Sequence, residues 1–415
     1  MKPNVILIST FDTKGIECNF IKQVILKNGS GCQTLDVGVG GEPTAVPDIS
    51  LAHLCEGSEY TVDAIHAMPR GQAVEAASNL VEKYIARLYQ QGKMTCIAGI
   101  GGAGGTQIVT QAMRTLPFGI PKVMLSTLAS GNTRWYMKAS DIMMMPSICD
   151  VSAINSITSL VYERFGAVCA MGARWFAENF AGHAKEMADP KAKRIALTMY
   201  GTTTKGVTRA VKELEKNKFE PIVFHASGAG GMSLEQFARQ GIFAGTLEMT
   251  LAEIGAHLVG GLHDAGPDRL EAAGEMGLPQ VIVPGGADTV VLPPMSDLPD
   301  KFKTGRILNM HNPTMTTMRT SKEECVQIGE FIVQKLLKAK GPVKVLIPKG
   351  GLSSIDKPGE KFYLPEANEA LFETLKNGFK GSKVEVIEDE RHLYDPGFGE
   401  LAAEMIMDMV NRSRA

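Results

Sequence analysis

Short apolar runs, rich in β-branched residues and lacking polar alternation, recur along the chain and are each followed by a small-residue loop and a segment of helical periodicity. The first run, Asn4–Ser9, reads as a strand covered on both faces, and Ile16, Phe20, Ile21, Val24 and Ile25 then carry helical spacing. Further strands are predicted at Cys32–Val37, Thr95–Gly101, Lys122–Ser126, Ile195–Tyr200, Pro221–Ala226, Gln280–Val283, Ile307–Met310, Val343–Ile347 and Lys383–Ile387. Helices are predicted over Ala73–Gln90, Val207–Lys216, Lys322–Leu337, Glu366–Leu375 and Phe398–Asn411, and one or two more over Ser152–Phe180. The chain around Thr246–Thr250 reads as an apolar turn, Ala265–Leu270 as the start of a helix, and the stretch from Gly40 to about Met68 as irregular. Repeated strand–loop–helix alternation predicts the α/β class, with two doubly wound, Rossmann-like parallel-sheet domains.

The pattern breaks once, at the charged and proline-interrupted segment His183–Arg194. It sets the expected boundary between an N-terminal domain, residues 1–185, and a C-terminal domain, residues 192–415. At 415 residues the chain exceeds what one hydrophobic core usually organises. Both halves open with a strand, a hydroxyl/Lys/Gly loop and a helix, and both present Gly-Ala-Gly-Gly after a strand, at Gly102–Gly105 and Gly228–Gly231.

A net charge of -2 and 6% aromatic residues argue against nucleic-acid binding, which needs a basic field and stacking platforms. The greasiest stretch, Ile142–Val161, is broken by Pro146, Asp150 and Asn155, so no membrane span is expected. The apolar run at Val5–Ile8 is too short for a signal-peptide core, and the seven cysteines are scattered singly. A cytoplasmic protein is the expectation.

The candidate chemistry lies at the strand ends. Gly99-Ile100-Gly101-Gly102-Ala103-Gly104 satisfies the dinucleotide spacing G-x-G-x-x-G, yet no Asp or Glu occurs between Thr106 and Ser140 to hold a ribose. A dehydrogenase is therefore disfavoured, and no G-x-x-x-x-G-K-[ST] loop is present. What remains is a composite phosphate site. Gly101, Gly102, Ala103, Gly104, Gly105 and Thr106 would supply backbone amides, Ser130, Gly131 and Asn132 would add the next loop, and Thr10, Asp12, Thr13, Lys14 and Gly15 would converge from the first. Lys14 would offset phosphate charge, and Asp12 could hold Mg2+. The same residues also suit an ordinary helix entry and tight turns. In the C-terminal domain His225, Glu248, Asp288 and His311 are candidate catalytic groups for acid/base work, if the fold gathers them on one rim.

A set of motifs runs the length of the chain: Ser9-Thr10-Phe11-Asp12-Thr13-Lys14-Gly15, Gly101–Thr106, Ser130-Gly131-Asn132, Phe224-His225-Ala226, Gly266-Pro267-Asp268-Arg269-Leu270, Pro284-Gly285, His311-Asn312-Pro313 and Arg319-Thr320. In this order the set resembles the uncharacterised family of bacterial and fungal proteins related to the N-terminal ATP-binding domain of the tomato mosaic virus resistance protein, without its C-terminal TIM-barrel module. The resemblance implies two Rossmann-like subdomains, binding of ATP with Mg2+, and a homodimer. It leaves open whether ATP is hydrolysed or only bound. Two other uses fit the residues: an enzyme, a hydrolase or lyase, acting on a small phosphorylated or carboxylated metabolite in an interdomain cleft, and a non-catalytic interaction module controlled by a ligand.

Overall fold

A computed structural model describes residues 1–187, 189 and 191–414. Ala188 and Pro190 of the charged boundary segment, and Ala415, lie outside the described residues. The chain forms two compact units, Met1–Met187 and Ala188–Ala415.

The first unit runs β1 (Asn4–Ser9), α1 (Phe11–Lys27), β2 (Gly31–Asp36), α2 (Leu51–Cys55), α3 (Val62–Ala67), α4 (Arg70–Gln90), β3 (Cys96–Gly101), α5 (Ala103–Thr115), β4 (Lys122–Ser126), α6 (Arg134–Met137), β5 (Ile142–Pro146) and α7 (Thr158–Met187). Its strands are parallel in the order β2-β1-β3-β4-β5. Val5 and Leu7 of β1 face α1 and α7, while Ile6 and Ile8 face α4 and α5, so the run is apolar throughout because both sides are covered. The chain leaves β1 toward one face and β3 toward the other. Between these two neighbours lies the switch point at which open α/β sheets bind ligands.

The second unit runs β6 (Arg194–Met199), α8 (Thr204–Lys216), β7 (Glu220–His225), α9 (Ala229–Arg239), β8 (Gly245–Glu248), α10 (Ala252–Val259), α11 (Ala272–Glu275), β9 (Gln280–Ile282), β10 (Thr289–Leu292), β11 (Leu308–Asn312), β12 (Met315–Arg319), α12 (Lys322–Leu336), β13 (Val343–Pro348), α13 (Pro365–Phe379), β14 (Glu385–Asp389) and α14 (Phe398–Ser413). Its parallel sheet has the order β14-β13-β9-β8-β6-β7. The first helix pairs with the last on one face, α8 with α14, as α1 pairs with α7 in the first unit. Both units are thus wound in the same way.

Several expectations change. Thr10–Gly15 is not a loop: α1 starts at Phe11, so Asp12, Thr13, Lys14 and Gly15 form its first turn, with Lys14 bent out of helical geometry at φ -134°. The irregular stretch contains α2 and α3. Thr246, Leu247 and Glu248 belong to a fully buried strand, β8, with Met249 and Thr250 following it, and the helix expected from Ala265 shrinks to α11. The strand near Ile307 belongs to a separate antiparallel sheet, β10-β12-β11, inserted between β9 and β13.

Candidate functional site

At the switch point of the first unit, β3 ends in Gly101 and α5 begins at Ala103, with Gly102 as its N-cap and no side chain capping it. The glycines here divide by what surrounds them. A Cβ on Gly99 would lie 2.4 Å from Val109 Cγ1, and one on Gly101 would lie 3.0 Å from Gly105 Cα, so the chain's own packing requires both. A Cβ on Gly102, Gly104 or Gly105 would meet nothing nearer than 3.7, 3.6 and 3.5 Å respectively. Packing does not require these three, and without a Cβ they leave the amides at the start of α5 open to close approach.

The same four-residue sequence supplies its own control in the second unit. Gly228-Ala229-Gly230-Gly231 also places an N-cap glycine before a helix, α9. There the amides of Gly228 and Gly231 both donate to one carboxylate oxygen, Glu253 Oε1, at 2.7 and 2.9 Å. A Cβ on Gly231 would be 2.1 Å from Glu253 Oε2. The caps differ in backbone, φ 93° at Gly228 and -87° at Gly102. At α9 the carboxylate is built in; at α5 the corresponding Cβ positions make only ordinary contacts, at 3.5 Å or beyond.

Three neighbours converge on the start of α5. Thr10 Cγ2 is 3.8 Å from the Cβ position of Gly105, Thr127 Oγ1 is 3.7 Å from that of Gly102, and Arg70 Nη2 is 3.8 Å from that of Gly104. Arg70 is exposed and opens α4, whose first turn has no acidic residue and whose N-cap, Pro69, offers no side-chain acceptor. A cation there opposes the helix dipole and is disfavoured unless an anion joins it. Sequence reasoning missed Arg70; the available signal was a lone cation directly after Met68-Pro69 with no acid in the turn that follows.

The other expected residues behave differently. Thr106 turns inward, its hydroxyl 2.7 Å from Ser126 Oγ. Thr10 and Thr13 hydroxyls are 3.1 Å apart. Asp12 Oδ2 accepts from the Gly40 amide at 2.8 Å and its Oδ1 from Thr13 Oγ1 at 3.2 Å, tying the chain after β2 to α1. Gly15 is demanded by packing, since a Cβ would sit 2.8 Å from Thr44 Oγ1. Beside them Asp36 Oδ1 accepts from the amides of Phe11 and Gly38, and burial pushes its carboxyl above the usual range. Ser130, Gly131 and Asn132 form an exposed turn closed by Gly131 N–H donating to Leu128 O. Among the described residues no group of three or more His, Cys, Asp or Glu could hold a metal.

The four candidate catalytic groups of the second unit are not gathered into one centre. Glu248 lies beneath the rim, bidentate to Arg269 at 2.8 and 3.0 Å, and the same guanidinium binds Glu235 and Glu253. Burial opposes the Arg269 charge, but the three carboxylates hold its pKa well above the ordinary value. Asp288 is fully buried after β9. His311 is exposed at the tip of the β11–β12 hairpin, whose other end adjoins Asp288 through the Thr289–Arg319 pair. Four residues of strand, about 13 Å, separate the two ends. His225 is exposed and stacks on Tyr200 (ring centroids 5.4 Å apart), whose hydroxyl pairs with His263 Nδ1 at 2.9 Å. Burial pushes the Tyr200 phenol up to about 12.

Fold and site together define a protein of two doubly wound α/β units whose first unit opens an uncapped, glycine-lined helix terminus at a strand switch point. Comparison with known proteins agrees with the resemblance carried by the motifs. Residues 3–175 match the profile of "Uncharacterised protein family (UPF0261) N-terminal domain" and residues 192–410 that of its C-terminal domain, so the chain belongs to the UPF0261 family. It is 41% identical over 413 residues to a UPF0261 protein of Clostridium tetani, covering 99% of this chain and 100% of that protein. Identity to the ToMV resistance protein Tm-1 of Solanum lycopersicum is 31% over 440 residues, covering 99% of this chain and 56% of the tomato protein. No helix among the described residues is long and apolar enough to cross a membrane.

Proposed function

We propose that this protein binds a nucleotide, ATP in the first instance, with its phosphates at the start of α5. The observation that carries the reading is the pair of Gly-Ala-Gly-Gly helix starts: one bonds the Glu253 carboxylate, and the other leaves equivalent room beside Thr10, Thr127 and the Arg70 guanidinium. Backbone amides and a helix N-terminus favour a phosphate group over any neutral ligand. Arg70 supplies the cation that the sequence suggested Lys14 would supply. Mg2+ enters with the phosphates, since such sites need only one or two protein carboxylates. Asp12 is the candidate, held beside Thr13 in the first turn of α1. Calorimetric titration with ATP, with and without Mg2+, on wild type and Gly104→Asp tests the site. Equal affinities for the two proteins would remove α5 from it.

The same reading includes a homodimer. Along α7 the residues Leu160, Val168, Met171 and Trp175 share one face and are 43–60% exposed, and Ile148, Ile154 and Ile157 in the segment before the helix are exposed as well. Together they leave roughly 700 Å² of apolar side chain open, near what each partner of a stable complex buries and above the patch usual for a monomer. A face repeating at intervals of three and four residues is self-complementary to a second copy of the same helix. Sedimentation equilibrium of the wild type decides this part: a monomer at tens of micromolar would refute it.

A further inference from the structure

Two carboxyl groups of the second unit, Asp288 after β9 and Asp356 after β13, are fully buried, and each uses only one oxygen. Asp288 Oδ2 accepts from Ser353 Oγ at 2.6 Å and Thr289 Oγ1 at 3.1 Å. Asp356 Oδ2 accepts from the Leu352 amide at 2.9 Å and Asn368 Nδ2 at 2.8 Å. Both Oδ1 atoms are buried without a hydrogen-bond partner. Leaving two acceptors orphaned in one water-excluded place is costly unless something donates to them.

The groups packed around the pair do not supply that donor. From β12 comes Arg319, whose Nη2 lies 3.8 Å from Asp356 Oδ1. Its N–H groups donate instead to Phe362 O, Thr320 O and Oγ1, Leu364 O and Asn368 Oδ1. From α12 comes Cys325, whose thiol burial pushes up. After β14, His392 is spent on accepting from the Tyr394 amide at Nδ1 and on Ser353 O, 3.1 Å from Nε2. One guanidinium therefore faces two carboxylates. A buried excess negative charge costs several kcal/mol. A single proton removes the excess and gives the pair an O–H donor.

We infer that Asp288 and Asp356 hold one proton between them in the folded protein, and that its loss on the alkaline side loosens the rim formed by the loops after β9 and β13. The two carboxyls sit in segments that already meet through their backbones, Gly286 N–H donating to Leu352 O at 3.0 Å and Thr320 N–H to Asp288 O at 3.1 Å, so a change of charge there bears on the whole rim. Burial first, and then the Asp356 charge, push Asp288 up to about 6. The folded state then holds the proton more tightly than the unfolded chain, whose Asp titrates near ~3.9. The added stability is complete below the unfolded value and is lost as pH rises through about 6.

The test uses the full chain. Infrared difference spectra and amide hydrogen exchange are recorded at pH 5 and 7.5, exchange being corrected for intrinsic rates. Wild type should show a protonated-carboxyl band at pH 5 that Asp288→Asn lacks, and faster exchange in residues 284–288 and 350–356 at pH 7.5. Across this interval the unfolding equilibrium should shift by about tenfold. Asn at position 288 offers Nδ2 as a permanent donor, so Asp288→Asn should keep the slow exchange at both pH values. A wild-type profile without the step, or an Asp288→Asn profile with the same step, overturns the inference. So does exchange that depends on added Na+, K+ or Mg2+ rather than pH, which would make the guest a cation. If Asp288→Asn does not fold, Asp356→Asn and the wild-type spectra decide alone.

Discussion

Gly104→Asp separates binding from folding because it should move them in opposite directions. Gly104 is the second residue of α5, and a Cβ there meets Val74 Cγ2 at 3.6 Å and Arg70 Nη2 at 3.8 Å, both ordinary contacts. A carboxylate in the first turn of a helix gains about 0.3–1 kcal/mol from the dipole. Replacing glycine within a helix adds roughly 0.5 kcal/mol or more by restricting the unfolded chain. The variant should therefore be more stable by about 1 kcal/mol. For the ligand the sign reverses. A carboxylate about 4 Å from a phosphate repels each unit charge by ~1 kcal/mol at the dielectric of water and ~4 kcal/mol at an effective value of 20. It also neutralises Arg70, so ATP affinity should fall at least tenfold and up to a thousandfold. Thermal unfolding and calorimetric titration on one preparation read both effects. The matching change in the second unit, Gly230→Asp, is the control: a Cβ there would lie 1.9 Å from His225 O, so that variant should lose stability outright. A Gly104→Asp protein that is stabilised yet binds ATP within threefold of wild type refutes the phosphate placement. One that is destabilised like Gly230→Asp refutes the claim of open room.

Arg70→Ala should weaken ATP by roughly 1.5–3 kcal/mol, the worth of a charged hydrogen bond, while leaving the melting temperature unchanged or raised, because a cation leaves a helix N-terminus. Equal ATP affinities with and without Arg70 would return the charge-balancing role to Lys14. Arg269→Met strands Glu235, Glu248 and Glu253 in the core and should cost about 3–5 kcal/mol or more by chemical denaturation. A loss below 1 kcal/mol would mean that the cluster is hydrated. Leu160→Glu together with Met171→Glu should turn the dimer into a monomer in sedimentation without loss of far-ultraviolet ellipticity. A dimer that survives both changes places the interface elsewhere.

Where a strand is covered on both faces its signature is a continuous apolar run, and β1, β4, β6 and β13 were readable for that reason. The elements that escaped are those whose partners are distant in sequence. β8 is four residues long and fully buried, too short to show any period; β10 follows the glycine-rich turn at Gly285-Gly286 that reads as loop, and β12 returns from β11 after only Pro313-Thr314. The site was legible in part. Glycines mark a place where backbone is bare, but the sequence cannot tell a glycine that Val109 crowds, such as Gly99, from one with room above it, such as Gly104. Nor can it foresee Arg70, which lies 34 residues earlier and reaches the loop only because α4 packs on α5. Glu248 looked like a catalytic acid at a strand end; its strand delivers it instead to Arg269, a partner fixed by tertiary packing.

The shared winding of the two units sharpens what is particular to the first. Each orders its opening strands 2-1-3-4, each pairs its first helix with its last, and each carries Gly-Ala-Gly-Gly at a helix start. Similar construction alone would predict similar anion sites. Yet Glu253 closes the one on α9, and Arg269 with Glu235 and Glu248 locks that carboxylate in place at 1% exposure or little more. A site sealed by a buried, fourfold-charged network is unavailable to a soluble anion, since removing Glu253 would leave Arg269 and the two remaining acids to reorganise without water. The first unit has no such plug. The Val109 side chain fills the space above Gly99 and the α5 backbone that above Gly101, whereas nothing comes nearer than 3.6 Å to a Cβ on Gly102 or Gly104. The open start of α5 is the feature that the proposed phosphate site accounts for, and Arg70 beside it is the charge that such a ligand would meet.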